Sequence, residues 1–191
     1  NEVRYRKADL SALNNDSSTF INVYFPKQEE INQGSSAVTA SDNDDYVFGA
    51  HSSNDSISSG GGSDIIVTGD GDDYIVAGPG NDTVKAGAGS DVIIGGSGEG
   101  DDSYDGGIGQ DFINYSSASL ALQINLTAGT VQGVEVGFDT LTSIESIRGG
   151  GGDDVFLIED SIFAGDSKEL KVYGGKGADK SGNLFRTCRA I

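Results

Sequence analysis

The sequence predicts an all-β fold, a two-sided parallel β-helix solenoid wound from very short strands, and three observations predict it. Between Asp42 and Asn114 an aspartate followed two residues later by an apolar side chain recurs at Asp45, Asp55, Asp64, Asp73, Asp82, Asp91, Asp102 and Asp111, at intervals of 10, 9, 9, 9, 9, 11 and 9 residues. The apolar partners are Val47, Ile57, Ile66, Ile75, Val84, Ile93, Tyr104 and Ile113. From Gly60 onward glycine runs stand before these aspartates, as tight turns require, because glycine reaches positive φ without a Cβ in the way. Nine residues then make one turn plus a strand of about three residues, with the apolar side chain pointing inward. Two such units close one coil, so aspartates two units apart stack in file. One edge holds Asp45, Asp64, Asp82 and Asp102; the other holds Asp55, Asp73, Asp91 and Asp111.

Residues 1–40 read as an N-terminal cap segment. Val3–Arg6 and Thr19–Phe25 are strand-like by their β-branched and aromatic content, the second stopping at Pro26, and the first coil of a stack needs its open end covered. Residues 41–115 are the repeat block. Its first two turns lack glycine, with Ala40, Ser41 and Asn43 before Asp45 and Ala50, His51 and Ser53 before Asp55, so weaker ligation is expected there. Between Gly95 and Asp102 two extra residues intrude, which predicts a bulged turn carrying the additional acids Glu99 and Asp101.

Residues 116–148 form a strand-rich spacer. Leu120, Leu122, Ile124 and Leu126 alternate with a period of two; Gly129 and Gly133 mark turns, and Val134, Val136 and Phe138 lead into Leu141–Ile147. Residues 149–180 are a second short repeat block centred on Asp154. Its last turn, over Leu170–Asp179, puts Ser181 in the apolar position, where the solenoid is expected to end. Residues 181–191, with Arg186, Cys188 and Arg189, are a tail that the pattern does not place and that need not be native. A chain that begins at Asn1 and contains no Met is expected to be a piece of a longer polypeptide.

The outward positions differ between the two faces. Tyr74, Val76, Val92, Ile94 and Phe112 lie on one; the other starts with Tyr46, Phe48, Ile65 and Val67 and turns polar at Thr83, Lys85, Ser103 and Asp105. A contiguous exposed apolar patch calls for a cover, expected from the segments outside the repeats or from a neighbouring domain.

Composition narrows the function. The net charge is −18, only 8% of residues are aromatic, and Asp42 to Tyr115 carries fifteen acids against one base, Lys85, a net −14. So acidic a block, thin in large hydrophobes, stays unfolded without a counter-ion. Nucleic acid is excluded as a partner by the lack of basic patches, and no apolar run is long enough to span a bilayer. Cys188 is the single cysteine, so neither an intrachain disulfide nor a thiolate metal site follows. His51 is the single histidine, so no His-pair zinc motif can be built, and it reads as structural. There is no nucleophile elbow and no phosphate-binding loop. An EF-hand at Asp101–Phe112 fails because Phe stands where a bidentate Glu is required. Thirty acids offer many carboxylate pairs, but metal ligation and surface charge account for them without glycoside hydrolysis.

The positive chemistry is cation binding. Carboxylates and turn carbonyls are hard oxygen donors of the kind calcium takes. Stacked strands sit about 4.8 Å apart, and two carboxylates at about 5 Å repel by roughly 3 kcal/mol at an effective dielectric of 20. A ladder of such pairs does not close unaided, so folding and calcium binding are expected to be one event.

Gly106-Gly-Ile-Gly-Gln-Asp-Phe-Ile-Asn114 and Gly149-Gly-Gly-Gly-Asp-Asp-Val-Phe156 fit G-G-x-G-x-D-x-U-x at every fixed position, and on these residues the sequence resembles the RTX (repeats-in-toxin) family of secreted bacterial proteins. The likeness is strongest over residues 59–114, returns at 149–157, and includes a spacer similar to those of adhesins and surface-layer proteins at Asn114–Ser119 and Asp139–Ile147. It implies a calcium-binding parallel β-roll, each ion lying between two turns of one edge and held by an Asp from each turn and by glycine carbonyls. The implied carboxylate ligands are Asp64, Asp73, Asp82, Asp91, Asp102 and Asp111, with Asp45 and Asp55 at the turns that lack glycine and Asp154 in the second block. The implied carbonyl ligands are those of Gly60, Gly62, Gly69, Gly71, Gly78, Gly80, Gly87, Gly89, Gly107 and Gly109, with Gly150 and Gly152 in the second block.

The resemblance further implies type I secretion, folding outside the cell in calcium, an extracellular or cell-surface location, and no catalysis by this chain. Its partners would then be calcium, the rest of a larger polypeptide and a cell-surface glycan, in a protein of adhesin or surface-layer type. The alternative is the C-terminal module of an extracellular enzyme, such as an alginate epimerase, lipase or metalloprotease, with the catalytic domain elsewhere. The C-terminus lacks the usual look of the family's secretion signal. An ice-binding solenoid is disfavoured because no regular Thr ladder lines the outer faces.

Overall fold

The computed structural model describes residues 37–49, 52–96, 98–158 and 170–182. The strands expected at Val3–Arg6 and Thr19–Phe25, His51, and the tail with Cys188 lie outside them. Among the described residues every regular element is a strand. They are β1 (Ala37–Thr39), β2 (Tyr46–Phe48), β3 (Ser56–Ser58), β4 (Ile65–Asp70), β5 (Tyr74–Val76), β6 (Thr83–Gly89), β7 (Val92–Ile94), β8 (Ser103–Gly109), β9 (Phe112–Asn114), β10 (Gln123–Asn125), β11 (Thr130–Gly133), β12 (Gly137–Thr142), β13 (Ser146–Arg148), β14 (Val155–Leu157), β15 (Lys171–Tyr173) and β16 (Lys180–Gly182).

Alternate strands go to opposite sheets, as two units per coil requires. One sheet runs β1-β3-β5-β7-β9-β13-β15 and the other β2-β4-β6-β8-β12-β11-β10-β14-β16. The chain is thus all-β with stacked parallel sheets, the β-roll arrangement expected. Register is strict: Ile57 faces Ile75, Ile75 faces Ile93 and Ile93 faces Ile113 in one sheet, while Val47, Ile66, Val84 and Tyr104 align in the other. These middle residues are the core, each nearly inaccessible, and burying a side chain of that size stabilises by roughly 1.5–3 kcal/mol.

Two features depart from a uniform coil. β4, β6 and β8 are six or seven residues long, because their pairing continues into the glycine turn, as at Gly69↔Gly87 and Gly87↔Gly107. The spacer inserts β10 and β11 between β12 and β14 within the second sheet, with β11 antiparallel to both β10 and β12 and β10 parallel to β14. Leu122 and Ile124 point into the core there, but Leu120 is exposed, since β10 begins only at Gln123. Val136 is buried, while Val134 and Phe138 face out beside it at the β11–β12 hairpin.

The two extra residues before Asp102 are absorbed in the turn: β8 pairs with β6 in unbroken register, Thr83 against Ser103. Outside, Tyr74 is 46% and Tyr46 45% exposed, with Phe48 and Ile65 also exposed, whereas Val76, Val92, Ile94 and Phe112 are half-buried by their neighbours in the sheet. Phe112 packs edge-on against Tyr173 at 6.1 Å between ring centres. No described strand lies over Tyr74, so an internal cover does not come from the described residues.

Candidate metal centre

The recurring aspartates sit immediately before the strands, and the strand register carries them into two files. In the first, Asp45 N–H donates to Asp64 Oδ1 at 2.7 Å, Asp64 N–H to Asp82 Oδ1 at 2.8 Å and Asp82 N–H to Asp102 Oδ1 at 2.8 Å. In the second, Asp55 N–H donates to Asp73, Asp73 N–H to Asp91 and Asp91 N–H to Asp111, at 2.8 to 2.9 Å. Each carboxylate therefore caps the backbone of the coil before it. The files match the two edges expected from spacing.

Both files run further than the nine-residue spacing indicates. Asp139 Oδ1 accepts Asp102 N–H at 3.1 Å and Glu145 Oε2 accepts Asp111 N–H at 3.0 Å, 37 and 34 residues on. Asp154 Oδ1 accepts Leu122 N–H, and Asp154 N–H in turn donates to Asp179 Oδ1. Their sequence signal is weak, because a hairpin separates Asp139 from the repeats and Glu145 is not an aspartate. The position just before each file residue holds a second ladder: Asn54 caps Asp72 N–H, Asp72 caps Ser90 N–H, Asn81 caps Asp101 N–H and Asp101 caps Phe138 N–H. The paired residues Asn54-Asp55, Asp72-Asp73, Asn81-Asp82 and Asp101-Asp102 were its visible trace.

What the files do with the second carboxylate oxygen bears on a metal. Asp82 Oδ2 and Asp91 Oδ2 are buried and receive no hydrogen bond. The same holds for Asp64 Oδ2 and Asp73 Oδ2; the nearby Ser59 and Thr68 hydroxyls direct their single protons to the Ala77 and Ala86 carbonyls. An unmet buried acceptor costs about 1–3 kcal/mol, so these oxygens are placed for an electropositive partner. Elsewhere the protein fills the need itself: Ser41 N–H and Oγ–H serve Asp45 Oδ2, and Gly150 N–H serves Asp154 Oδ2.

The electrostatics agree. Burial pushes the Asp82 carboxyl up to about 8, opposed by the Asp64 N–H bond and reinforced by the charges of Asp102 and Asp64. Burial likewise lifts Asp91 to about 6 and raises Asp64 and Asp73. Asp139, with no exposed surface, is pushed up to about 8 by burial, with the Tyr115 hydrogen bond opposing.

Glycine leaves the space. Gly60, Gly62, Gly69, Gly71, Gly78, Gly80, Gly87, Gly89, Gly107 and Gly109 all have positive φ, whereas Gly150 and Gly152 of the second block do not share that conformation. An added Cβ at Gly78 or Gly80 would overlap the carbonyl oxygens of Gly60 and Gly62 one coil earlier. A Cβ at Gly106 would stand 2.8 Å from Asp111 Oδ2. Among the described residues no three carboxylates converge on a point, so side chains alone make no cage. The available donor set is therefore one carboxylate oxygen per turn completed by stacked carbonyls, all hard oxygen, which fits calcium. Among the described residues no helix is long and apolar enough to cross a membrane.

The comparison with curated proteins finds no match. A family model of the RTX calcium-binding nonapeptide repeat, four copies long, matches residues 42–75, 50–84, 67–99, 76–113 and 144–157, covering the aspartate files with their glycine turns and returning at Glu145 and Asp154. Through these residues the chain belongs to the RTX calcium-binding repeat family.

Proposed function

We propose that this chain is a non-catalytic calcium module that completes its fold when the ion binds outside the cell, and that it serves secretion, stability or surface attachment of a larger adhesin or surface-layer type protein. The observation that carries this reading is the buried, donorless Oδ2 of Asp82 and Asp91 in mid-stack. Asp64, Asp73, Asp82, Asp91 and Asp111 would hold the ions together with the glycine carbonyls of the turns stacked beside them. Bound there, calcium would supply the positive charge that the facing carboxylates lack. The chain's own part is to hold one oxygen of each carboxylate on a backbone N–H, which fixes the other, and to keep water out with the inward Ile and Val rows.

The sequence block from Asp42 to Tyr115 brings fifteen acids and one base, so without the cation the repulsion of roughly 3 kcal/mol per close pair opposes closure. Affinity in the range of extracellular modules, roughly 10⁻⁴ to 10⁻³ M, is expected, which keeps the chain open in a calcium-poor cytosol and closes it outside. The test is a calcium titration after chelation, read by far-UV circular dichroism and calorimetry. Strand signal that grows with saturable heat supports the reading; strand signal already complete in excess chelator overturns it. Glycan binding by the isolated chain, compared with and without calcium, tests surface attachment separately.

A further inference from the structure

Beyond the first rung, where Ser41 serves Asp45, the second oxygens of the first file divide at one place. Asp64 and Asp82 present a buried Oδ2 with no donor. At the next rung Asp102 Oδ2 accepts the Tyr104 hydroxyl at 2.7 Å, and one coil on Asp139 Oδ2 accepts the Tyr115 hydroxyl at 2.8 Å. Asp102 N–H closes the pair onto Asp139 Oδ1 at 3.1 Å. All four side chains are shut from solvent, with Asp102 at 4%, Tyr104 at 1% and Tyr115 and Asp139 at 0% exposure.

The surroundings change at the same point. Tyr104 occupies the inward position that Val84 holds in the strand before and Leu141 in the strand after, so a phenol replaces a hydrocarbon in the core row. The residues leading to Asp139 form the β11–β12 hairpin where the earlier coils have a glycine turn. Of the two stacked carbonyls at Gly78 and Gly80 only the second continues, through Gly100 to Gly137, whose positive φ sets it against the Gly100 carbonyl; the difference at this rung is therefore the donor to the second carboxylate oxygen.

We propose that Tyr104 and Tyr115 are a metal-free seal: their hydroxyls serve Asp102 and Asp139 as a cation serves Asp82, so calcium loading of this file stops at Asp82 and the coil beyond it closes on its own. This rests on the calcium reading given above. The reason is stoichiometric. A phenol has one proton, each is committed to a carboxylate oxygen, and a cation at Asp102 Oδ2 would displace it and strand a polar hydroxyl in the core. The calcium-dependent part of the chain is then the stretch of regular glycine turns, docked on a pre-closed C-terminal segment.

Two measurements on the full chain test this. Calcium stoichiometry is compared for wild type, Asp82→Asn and Asp102→Asn; the second amide still pairs with the Asp82 N–H and the phenol oxygen. Asp82→Asn is expected to lose one equivalent and Asp102→Asn none; loss of an equivalent in both overturns the seal. Amide hydrogen exchange of the wild type in excess chelator covers the case in which a variant does not fold. The Asp102 N–H is expected to exchange at least tenfold more slowly than those of Asp64 and Asp73, and equal rates overturn the proposal. If wild type takes up no calcium, the calcium reading itself fails, while the exchange pattern still decides whether the tyrosine rungs close alone.

Discussion

The backbone N–H of Asp64 donates to Asp82 Oδ1 at 2.8 Å while the other oxygen of Asp82 has no donor. One residue thus links two coils and offers a site to a third party. Asp82→Ala therefore removes both functions in mid-stack and leaves the Asp64 N–H buried without an acceptor, a loss of about 1–3 kcal/mol before any ion is counted. Asp45→Ala removes a carboxylate already served by Ser41 at the first rung. Thermal unfolding in saturating calcium should show the larger drop for Asp82→Ala; equal drops would show that the files do not act as drawn.

Glycine at the turns has a sharp internal control. Gly78 has φ of 97° and faces the Gly60 carbonyl, whereas a Cβ at Gly61 would meet nothing nearer than the Pro79 carbonyl oxygen at 3.7 Å and its φ is not positive. Gly78→Ala must take the left-handed conformation, about 1–2 kcal/mol by itself, and push the coils apart as well. Gly61→Ala should stay within about 0.5 kcal/mol of wild type. The pair is separated by the calcium midpoint of folding, which Gly78→Ala shifts upward and Gly61→Ala leaves in place.

The outer ladder should matter for the coil and not for the ion. Asn81 Oδ1 caps the Asp101 N–H at 2.9 Å on an exposed edge, so Asn81→Ala should cost about 0.5–1.5 kcal/mol with calcium stoichiometry unchanged. Calorimetric stoichiometry set beside the unfolding midpoint reads both; loss of an ion would make Asn81 a ligand and not a cap.

The regular part of this fold was legible because its physics is local. A turn that needs positive φ, a carboxylate at its end and one inward side chain fit within nine residues, so Asp64 to Asp111 could be assigned to edges by counting. Asp139 and Glu145 were not legible, since they reach the files only through strand pairing across the hairpin of β11 and β12. Tyr104 was visible as an inward residue, but nothing in its spacing told that its hydroxyl would land on Asp102. Leu120 misled for the opposite reason: alternation alone does not say where pairing begins, and β10 starts three residues later.

The metal-free chain should respond to acid in a direction opposite to ordinary carboxylate-stabilised proteins. Burial raises Asp82 to about 8 and Asp91 to about 6 in the folded coil, against about 4 for an unfolded aspartate. Between those values the folded state holds more protons than the unfolded one, so stability falls as pH rises and is greatest where both groups are protonated. In excess chelator the unfolding midpoint should be higher near about pH 5 than near about pH 8. Calcium competes with the same protons, so its binding should release protons and tighten as pH rises. A chelated midpoint that climbs toward alkaline pH would mean that these carboxylates are charged and satisfied without metal, and would remove the reason for the ion.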